Sequence, residues 1–329
     1  MKFCLLIIAL FLTACGGAAT NQSSTANQSA PAGSPTTSDS PERTSVHPPA
    51  GPKQAPDTAL ETQFAEIAKE AKGKVGVAAV VLETGENASL NGGEKFAMQS
   101  VYKVPISMAV MQQVDAGKFK PDQPIEITKA DFVSAGQRSP IRDQFPDGAS
   151  LPLWHVIEYA IGESDGTASD VLLRLLGGPA EAQKYIDSIG VKDLAIKNTE
   201  KEFAKDWKVQ FENSATPAAA VNLLTELYTG TSLDRERSKL ILDFMNESRP
   251  GPNRIRGLLP QESYVAHKTG TSGTKDGITA ATNDIGIIAL PNGKYMAIAI
   301  FVGDSPADEK TRESVIAKIA KAAWDKWSK

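Results

Sequence analysis

Lys74-Val75-Gly76-Val77-Ala78-Ala79-Val80-Val81-Leu82 is apolar and rich in β-branched residues, and how it is read decides the architecture. Branched side chains pack well on a pleated surface, so the run fits a buried strand. Glu83-Thr84-Gly85-Glu86-Asn87 has turn composition, which predicts a hairpin. Upstream, Leu60, Phe64, Ile67, Ala68 and Ala71 recur at helical spacing. Strand character returns near the far end, over residues 264–269, 284–290 and 295–302, with the turn Pro291-Asn292-Gly293 between the last two. A final helix then carries Val315, Ile316, Ile319, Ala320, Ala323, Trp324 and Trp327.

The stretch between is helical in pattern. Candidates cover residues 101–114, with Gly117 marking the C-terminal end, 154–161, and 168–176, closed by Gly177-Gly178-Pro179. Another covers 217–227, with Thr216 as N-cap and Pro217 in the first turn. The simplest assembly is an α/β (α+β) fold: an antiparallel sheet built from both ends of the chain, flanked by the terminal helices, plus an inserted all-α lobe. We expect the folded domain over 59–329, with an α/β lobe from 59–97 and 247–329 and a helical lobe from 98–246. A cleft between lobes is a common place for a small-molecule site.

Residues 1–14 read as a signal peptide. Met1 and Lys2 precede Phe3-Cys4-Leu5-Leu6-Ile7-Ile8-Ala9-Leu10-Phe11-Leu12, a run too short to span a bilayer. It ends in Leu12-Thr13-Ala14-Cys15, which resembles a bacterial lipobox. That resemblance implies cleavage before Cys15, lipidation of its thiol and new amine, and a membrane-held protein in the cell envelope facing the periplasm. An ordinary secretory signal that happens to contain a cysteine is the alternative. Each buried methylene of an acyl chain adds about 0.8 kcal/mol, so several chains anchor durably. From Gly16 to about Asp57, small and polar residues dominate and cannot bury enough surface to offset chain entropy. We read 15–58 as the lipidated cysteine and a disordered linker, with an inert His47.

Bulk composition sets further bounds. Across 329 residues, 41% are hydrophobic and 22% charged, which is ordinary for a globular protein. A net charge of −4 gives no basic footprint for nucleic acid. Both cysteines, Cys4 and Cys15, sit at the N-terminus, so neither can staple the folded part. No His/Cys cluster has metal-site spacing, and no metal or other cofactor is expected.

Three short motifs carry chemistry. In Ser100-Val101-Tyr102-Lys103, a helix starting at the serine puts both functional groups on one face, a turn apart. Serine needs a base to become a nucleophile, and a lysine serves if burial or positive neighbours lower its pKa. The helix N-terminus would favour negative charge developing on Ser100. Lys268-Thr269-Gly270-Thr271 follows a strand-like run. Lys268 would attract a substrate carboxylate, and Gly270 would permit close approach along a strand edge. Ser164-Asp165-Gly166 lies in a break between helices, where the hydroxyl could pass a proton to a leaving nitrogen; a plain helix cap is the alternative.

Together the motifs stand in the order and approximate separation of the penicillin-recognising serine enzymes. From about residue 60 to residue 327 the chain resembles class A β-lactamases, with the serine β-lactamase/D,D-peptidase-like fold, and within them the extended-spectrum PER-like branch. Met98-Gln99-Ser100-Val101-Tyr102-Lys103, Gln113-Val114-Asp115-Ala116-Gly117-Lys118, Val265-Ala266-His267-Lys268-Thr269-Gly270-Thr271-Ser272-Gly273 and Thr279-Ala280-Ala281-Thr282-Asn283-Asp284-Ile285-Gly286-Ile287-Ile288 carry that resemblance. It implies that Ser100 attacks the β-lactam carbonyl of penicillins and cephalosporins, Lys103 helps deprotonate it, and Ser164 relays a proton to the ring nitrogen. The backbone amides of Ser100 and Thr271 would form an oxyanion hole, contributing about 3–4 kcal/mol per donor. Lys268, Thr269 and Thr271 would hold the substrate carboxylate. Arg254, fourteen residues before Lys268, stands where some members place a carboxylate-binding arginine; a surface charge is the alternative. Counting back from Thr216-Pro217 reaches Glu200, the implied base for deacylation, with Glu202 as its rival if the loop slips. A monomer is the family expectation.

Departures from the family pattern are visible. Gly166 stands where an asparagine is usual, leaving a gap that water could fill. Ala204 replaces an asparagine that helps hold the hydrolytic water, and Asn198 and Asn213 replace the Arg/Asp pair that closes the loop, so an altered loop conformation is expected. Two other readings share part of the motif set: a penicillin-binding D,D-peptidase, which lacks the deacylating glutamate, and a non-hydrolysing sensor that stays acylated. A Ser-His-Asp hydrolase fits poorly, because His155 lies in an apolar helical pattern and His267 points away from Lys268 on a strand.

Overall fold

A computed structural model of the chain describes Gly51 and residues 54–329. The signal peptide, Cys15, His47 and nearly all of the linker lie outside the described residues.

α1 (Thr58–Ala68) leads into β1 (Lys74–Val81) and β2 (Asn87–Leu90), the expected hairpin. The chain returns to this sheet with β8 (Val265–Thr271), β9 (Thr274–Lys275), β10 (Ile278–Ala289) and β11 (Tyr295–Ser305). The order is β2-β1-β11-β10-β8, all antiparallel, with β9 on β10. β1 therefore pairs with the last strand, Val77 opposite Ile300, and the sheet is closed by the two ends of the domain.

Period-two alternation in β1 feeds two cores. Val75, Val77, Ala79 and Val81 face α1 and α10 (Glu309–Trp327), where Leu60, Phe64, Val315, Ile316 and Ile319 pack on them. Ala78 and Val80 face the opposite way, towards Phe301, Ala299 and the helical region.

Between the two halves of the sheet run α2 (Lys103–Asp115), α3 (Pro140–Gln144), α4 (Leu153–Ile161), α5 (Gly166–Leu176), α6 (Pro179–Ser188), α7 (Glu200–Phe203), α8 (Pro217–Thr229) and α9 (Arg235–Asn246). Minor strands join them: β3 (Phe96–Ala97), β7 (Ser214–Ala215) and β6 (Leu194–Ala195) form one ladder, and β4 (Pro124–Ile127) with β5 (Ala149–Pro152) another. α2 is buried continuously from Lys103 to Met111, so it is the axis of this region rather than an amphipathic surface helix.

Local signals account for most boundaries. Asp165 caps α5 by accepting from Ala168 N, and Gly177 ends it in the left-handed conformation. Thr216 caps α8, with Pro217 in the first turn. Ser100 itself lies in a short 3-10 turn (Gln99–Tyr102), and α2 begins only at Lys103.

Candidate active site

Lys103 organises the site. Its side chain is almost fully buried, and Nζ donates to Ser100 Oγ (2.8 Å) and to the Ser164 carbonyl (3.1 Å). The same ammonium lies 2.7 Å from Glu200 Oε1. One cation thus joins the hydroxyl of one segment to the carboxylate of another far along the chain.

Several contacts place Ser100. The preceding Gln99 has φ +49°, a strained setting for a residue with a side chain. Asn283 from β10 donates to the carbonyls of Ala97 and Met98. Gly270 lies beneath: a Cβ there would press into the Met98 carbonyl oxygen, well inside van der Waals contact. The close approach that glycine permits is therefore to the protein's own backbone behind the nucleophile.

Lys268 is wholly buried, and its Nζ donates to Ser164 Oγ at 2.8 Å. Burial pulls this ammonium well below the usual lysine range, and nearby Lys103 pulls it further. Ser164 holds its hydroxyl there from a left-handed backbone, φ +57°. The two readings of Ser164-Asp165 are thus divided between the residues: Asp165 caps the helix while Ser164 turns to the lysine.

Glu200, not Glu202, reaches Lys103. Glu202 is occupied in a capping box with Thr199 at the start of α7. Glu200 is pinned by residues that motif reading does not reveal. Its backbone N–H and that of Lys201 donate to the Asp170 carboxylate on α5 (2.7 and 3.1 Å). Burial raises the Asp170 pKa to about 6 despite those bonds. Gln137 Nε2 donates to the Glu200 carbonyl and lies 3.4 Å from Oε2. A carboxylate in the apolar pattern of α5 was a signal for Asp170. Gln137, in a polar loop sixty-three residues from Glu200, offered none.

The expected loop departures have specific outcomes. Asn213 Oδ1 accepts from the N–H groups of Lys197 and Asn198, and its Nδ2 donates to the Asn198 carbonyl, so hydrogen bonds from one side-chain amide tie the two loop ends. The gap expected at Gly166 is closed: a Cβ there would meet Arg138 O at 3.2 Å and Glu200 Cγ and Val133 Cγ2 at 3.4 Å. Ala204 is exposed and lines the cleft.

Arg254 is 3% exposed and lies behind the cleft wall. Nε pairs with Glu313 (3.0 Å), Nη1 bonds the carbonyls of Gly270 and Asn283, and Nη2 donates to Thr271 Oγ1 (2.9 Å). Its contact with the cleft runs through Thr271. Thr269 and exposed Thr271 line the cleft, a space of about 330 Å³ bounded also by Ser100, Ser164, Glu200 and Trp207. His267, on the other face of β8, pairs with buried Asp284 through Nδ1 at 2.9 Å.

This sheet, its helical insertion and its lysine-bound serine together define a penicillin-recognising serine enzyme. Comparison with known proteins places the chain further. The model of the beta-lactamase enzyme family matches residues 59–327. The VEB-1 β-lactamase of Pseudomonas aeruginosa is 38% identical over 81% of this chain and 89% of its own length. The extended-spectrum PER-1 enzyme of the same organism is 38% identical over 80% and 86%. Among solved structures, a β-lactamase from Chitinophaga pinensis DSM 2588 matches with TM-score 0.80 and 45% identity, covering 82% of this chain and 99% of that one. TLA-3 extended-spectrum β-lactamase matches with TM-score 0.81 and 39% identity, over 83% and 99%. The chain belongs to the beta-lactamase enzyme family, as a class A serine enzyme.

Proposed function

We propose that this protein hydrolyses β-lactams through an acyl-enzyme on Ser100 that Glu200 then clears. The observation that carries the reading is the shared ammonium: Lys103 Nζ touches both Ser100 Oγ and Glu200 Oε1. In acylation Lys103 takes the Ser100 proton, its own having passed to Glu200 across the 2.7 Å contact. Oγ bonds the β-lactam carbonyl carbon, and the oxyanion is met by the backbone N–H groups of Ser100 and Thr271. As the ring C–N bond breaks, Ser164 gives its proton to the nitrogen. Lys268 replaces that proton, and its lowered pKa suits the transfer. Thr269, Thr271 and the charge of Lys268 hold the substrate carboxylate, with Arg254 orienting the Thr271 hydroxyl. The proton held by Glu200 then passes by way of Lys103 and Ser164 back to Lys268, which leaves Glu200 again a carboxylate. Glu200 takes a proton from water as the water oxygen bonds the ester carbonyl carbon, and gives that proton to Ser100 Oγ as the ester C–O bond breaks.

Residues 1–14 direct export, Cys15 carries the lipid, and 16–58 tether a monomeric domain of two lobes in the cell envelope. Among the described residues no helix is long and apolar enough to cross a membrane.

The test compares the unsubstituted protein with Glu200→Gln in a stopped-flow assay with a chromogenic cephalosporin and intact-mass detection. The variant should give a burst near one equivalent, a persistent adduct and steady turnover lowered by at least about a hundredfold. Equal turnover by both proteins would refute Glu200 as the base. A lasting adduct on the unsubstituted protein would replace the hydrolase reading with the sensor reading.

A further inference from the structure

We infer that Gln137 is a positioning residue for deacylation: its side-chain amide sets the place of the Glu200 carboxylate oxygen that takes the proton from water, an inference that rests on the hydrolase reading above. Glu200 uses its two carboxylate oxygens differently. Oε1 is taken by the Lys103 ammonium at 2.7 Å, which leaves Oε2 as the oxygen that can turn to a water. Gln137 Nε2 donates to the Glu200 backbone carbonyl and lies 3.4 Å from Oε2. One amide therefore touches both the main chain and the side chain of the same residue. A carboxylate oxygen has two acceptor sites, so a donor on one leaves the other for the water.

The partners of Gln137 decide which way round its amide sits. Oε1 accepts from the Ser134 backbone N–H (3.3 Å) and hydroxyl (3.0 Å), and a backbone N–H can only donate, so the NH₂ end must face Glu200. The loop that carries the amide is fastened in that direction. Arg142 Nη1, from α3, bonds the carbonyls of Val133 (3.2 Å), Ser134 (2.6 Å) and Gln137 (3.1 Å). Val133 N–H donates to Thr167 Oγ1 on α5 (3.2 Å), and the Arg138 carbonyl accepts from Gly166 N–H (2.9 Å). Gly166 permits this approach: a Cβ there would lie 3.2 Å from that carbonyl oxygen and 3.4 Å from Glu200 Cγ, tight against both. Ala204, the cleft-lining residue one turn beyond Glu200, has no side-chain donor to offer. The amide that steadies the carboxylate thus comes from a different loop.

The experiment separates the two half-reactions: each protein is mixed with a chromogenic cephalosporin, quenched at intervals and weighed intact, so that formation and loss of the adduct are timed. Gln137→Leu should lower the deacylation constant about tenfold, the scale of one hydrogen bond to a carboxylate, and leave the acylation constant within about threefold, because Lys103 keeps Oε1. Gln137→Glu keeps the shape of the side chain and sets a second carboxylate where the amide nitrogen stood. A like charge raises a carboxyl pKa, so the acid limb of the deacylation rate should move up by about one pH unit. The other groups that face Glu200, Tyr102 and Lys103 from the nucleophile side, Asp170 from α5 and Lys268 from β8, are the same in both proteins, so the shift reports position 137. The proposal is overturned if deacylation falls no further than acylation in Gln137→Leu, or if the acid limb stays in place in Gln137→Glu; the second variant decides alone if the first does not fold. An unsubstituted protein that is never acylated, or never clears its adduct, sinks the hydrolase reading and this one with it. An unsubstituted protein that turns over at the same rates as both variants sinks only the role of Gln137.

Discussion

At the scale of single residues, buried charge governs what can change. Arg254 and Glu313 are both buried and paired at 3.0 Å, so removing one partner strands the other. Arg254→Leu should cost about 3–5 kcal/mol in urea unfolding. The double variant Arg254→Leu/Glu313→Leu should recover most of that stability without recovering kcat/KM, because Thr271 Oγ1 still lacks its donor. Recovery of both would mean that Arg254 contributes only to folding. Gly270 is constrained sterically: Gly270→Ala must displace the Met98 carbonyl and with it the turn bearing Ser100. A loss of about 1–3 kcal/mol is expected, together with a slower acylation burst. A normal burst would sink the claim that this glycine positions the nucleophile. Legibility at this scale follows sequence separation. Ser100 and Lys103 are three apart on one turn, and each sits in a motif that names its partner chemistry. Gln99 and Gln210 are 111 residues apart, and nothing local in either marks the bond between them.

The elements show a different balance between local and tertiary signals. Caps made the starts of α5 and α8 readable and the left-handed Gly177 the end of α5, whereas α8 runs two residues past its expected end at 227, to Thr229 before the left-handed Gly230. β10 begins at Ile278, six residues before the expected start at Asp284: Thr279, Ala281 and Thr282 pair with Ser305, Gly303 and Val302 of β11, and that pairing carries the strand through the small residues Ala280 and Ala281. α6 and α9 were not read at all: both are polar overall, although each buries one apolar face, Ala182, Tyr185 and Ile186 in α6 and Ile241, Leu242, Phe244 and Met245 in α9. The loop carrying Glu200 is held by α5 through Asp170, and this gives it a pH dependence. Folding raises the Asp170 pKa from 3.8 to about 6, so the folded state binds the proton more tightly than the unfolded chain does. That contribution is fully present below about pH 4 and is lost as pH rises through 6. Asp170→Asn removes the titration. Relative to that variant, the unsubstituted protein should lose on the order of 2 kcal/mol of unfolding free energy between pH 4 and 7. Parallel stability profiles for the two proteins over that range would show that Asp170 ionises without penalty.

For the whole molecule, the decisive feature is that β1 lies beside β11. The sheet can form only after both ends of the domain have met, and the helical insertion hangs from that closure. This was legible because strand patterns occur only near the two ends and a helix flanks each, leaving few antiparallel assemblies. How the insertion meets the sheet was less legible, since it depends on contacts such as Asn283 with Met98 that link residues 185 apart. The site lies across that junction: Ser100 and Lys103 enter α2, Ser164 precedes α5, Glu200 opens α7 and Lys268 belongs to β8. Its weakest member would be the loop 198–213, were it free. Asp170, Asn213 and the Gln99–Gln210 bond instead fasten it to α5, to its own base and to the nucleophile turn. Loss of activity should therefore require loss of the fold. In urea, cephalosporin hydrolysis and the near-ultraviolet circular dichroism of the buried aromatic residues should fall with one midpoint, in a single transition. Activity that disappears at clearly lower urea, with the aromatic signal intact, would show that the loop opens locally and that these fastenings are too weak to hold Glu200 on Lys103.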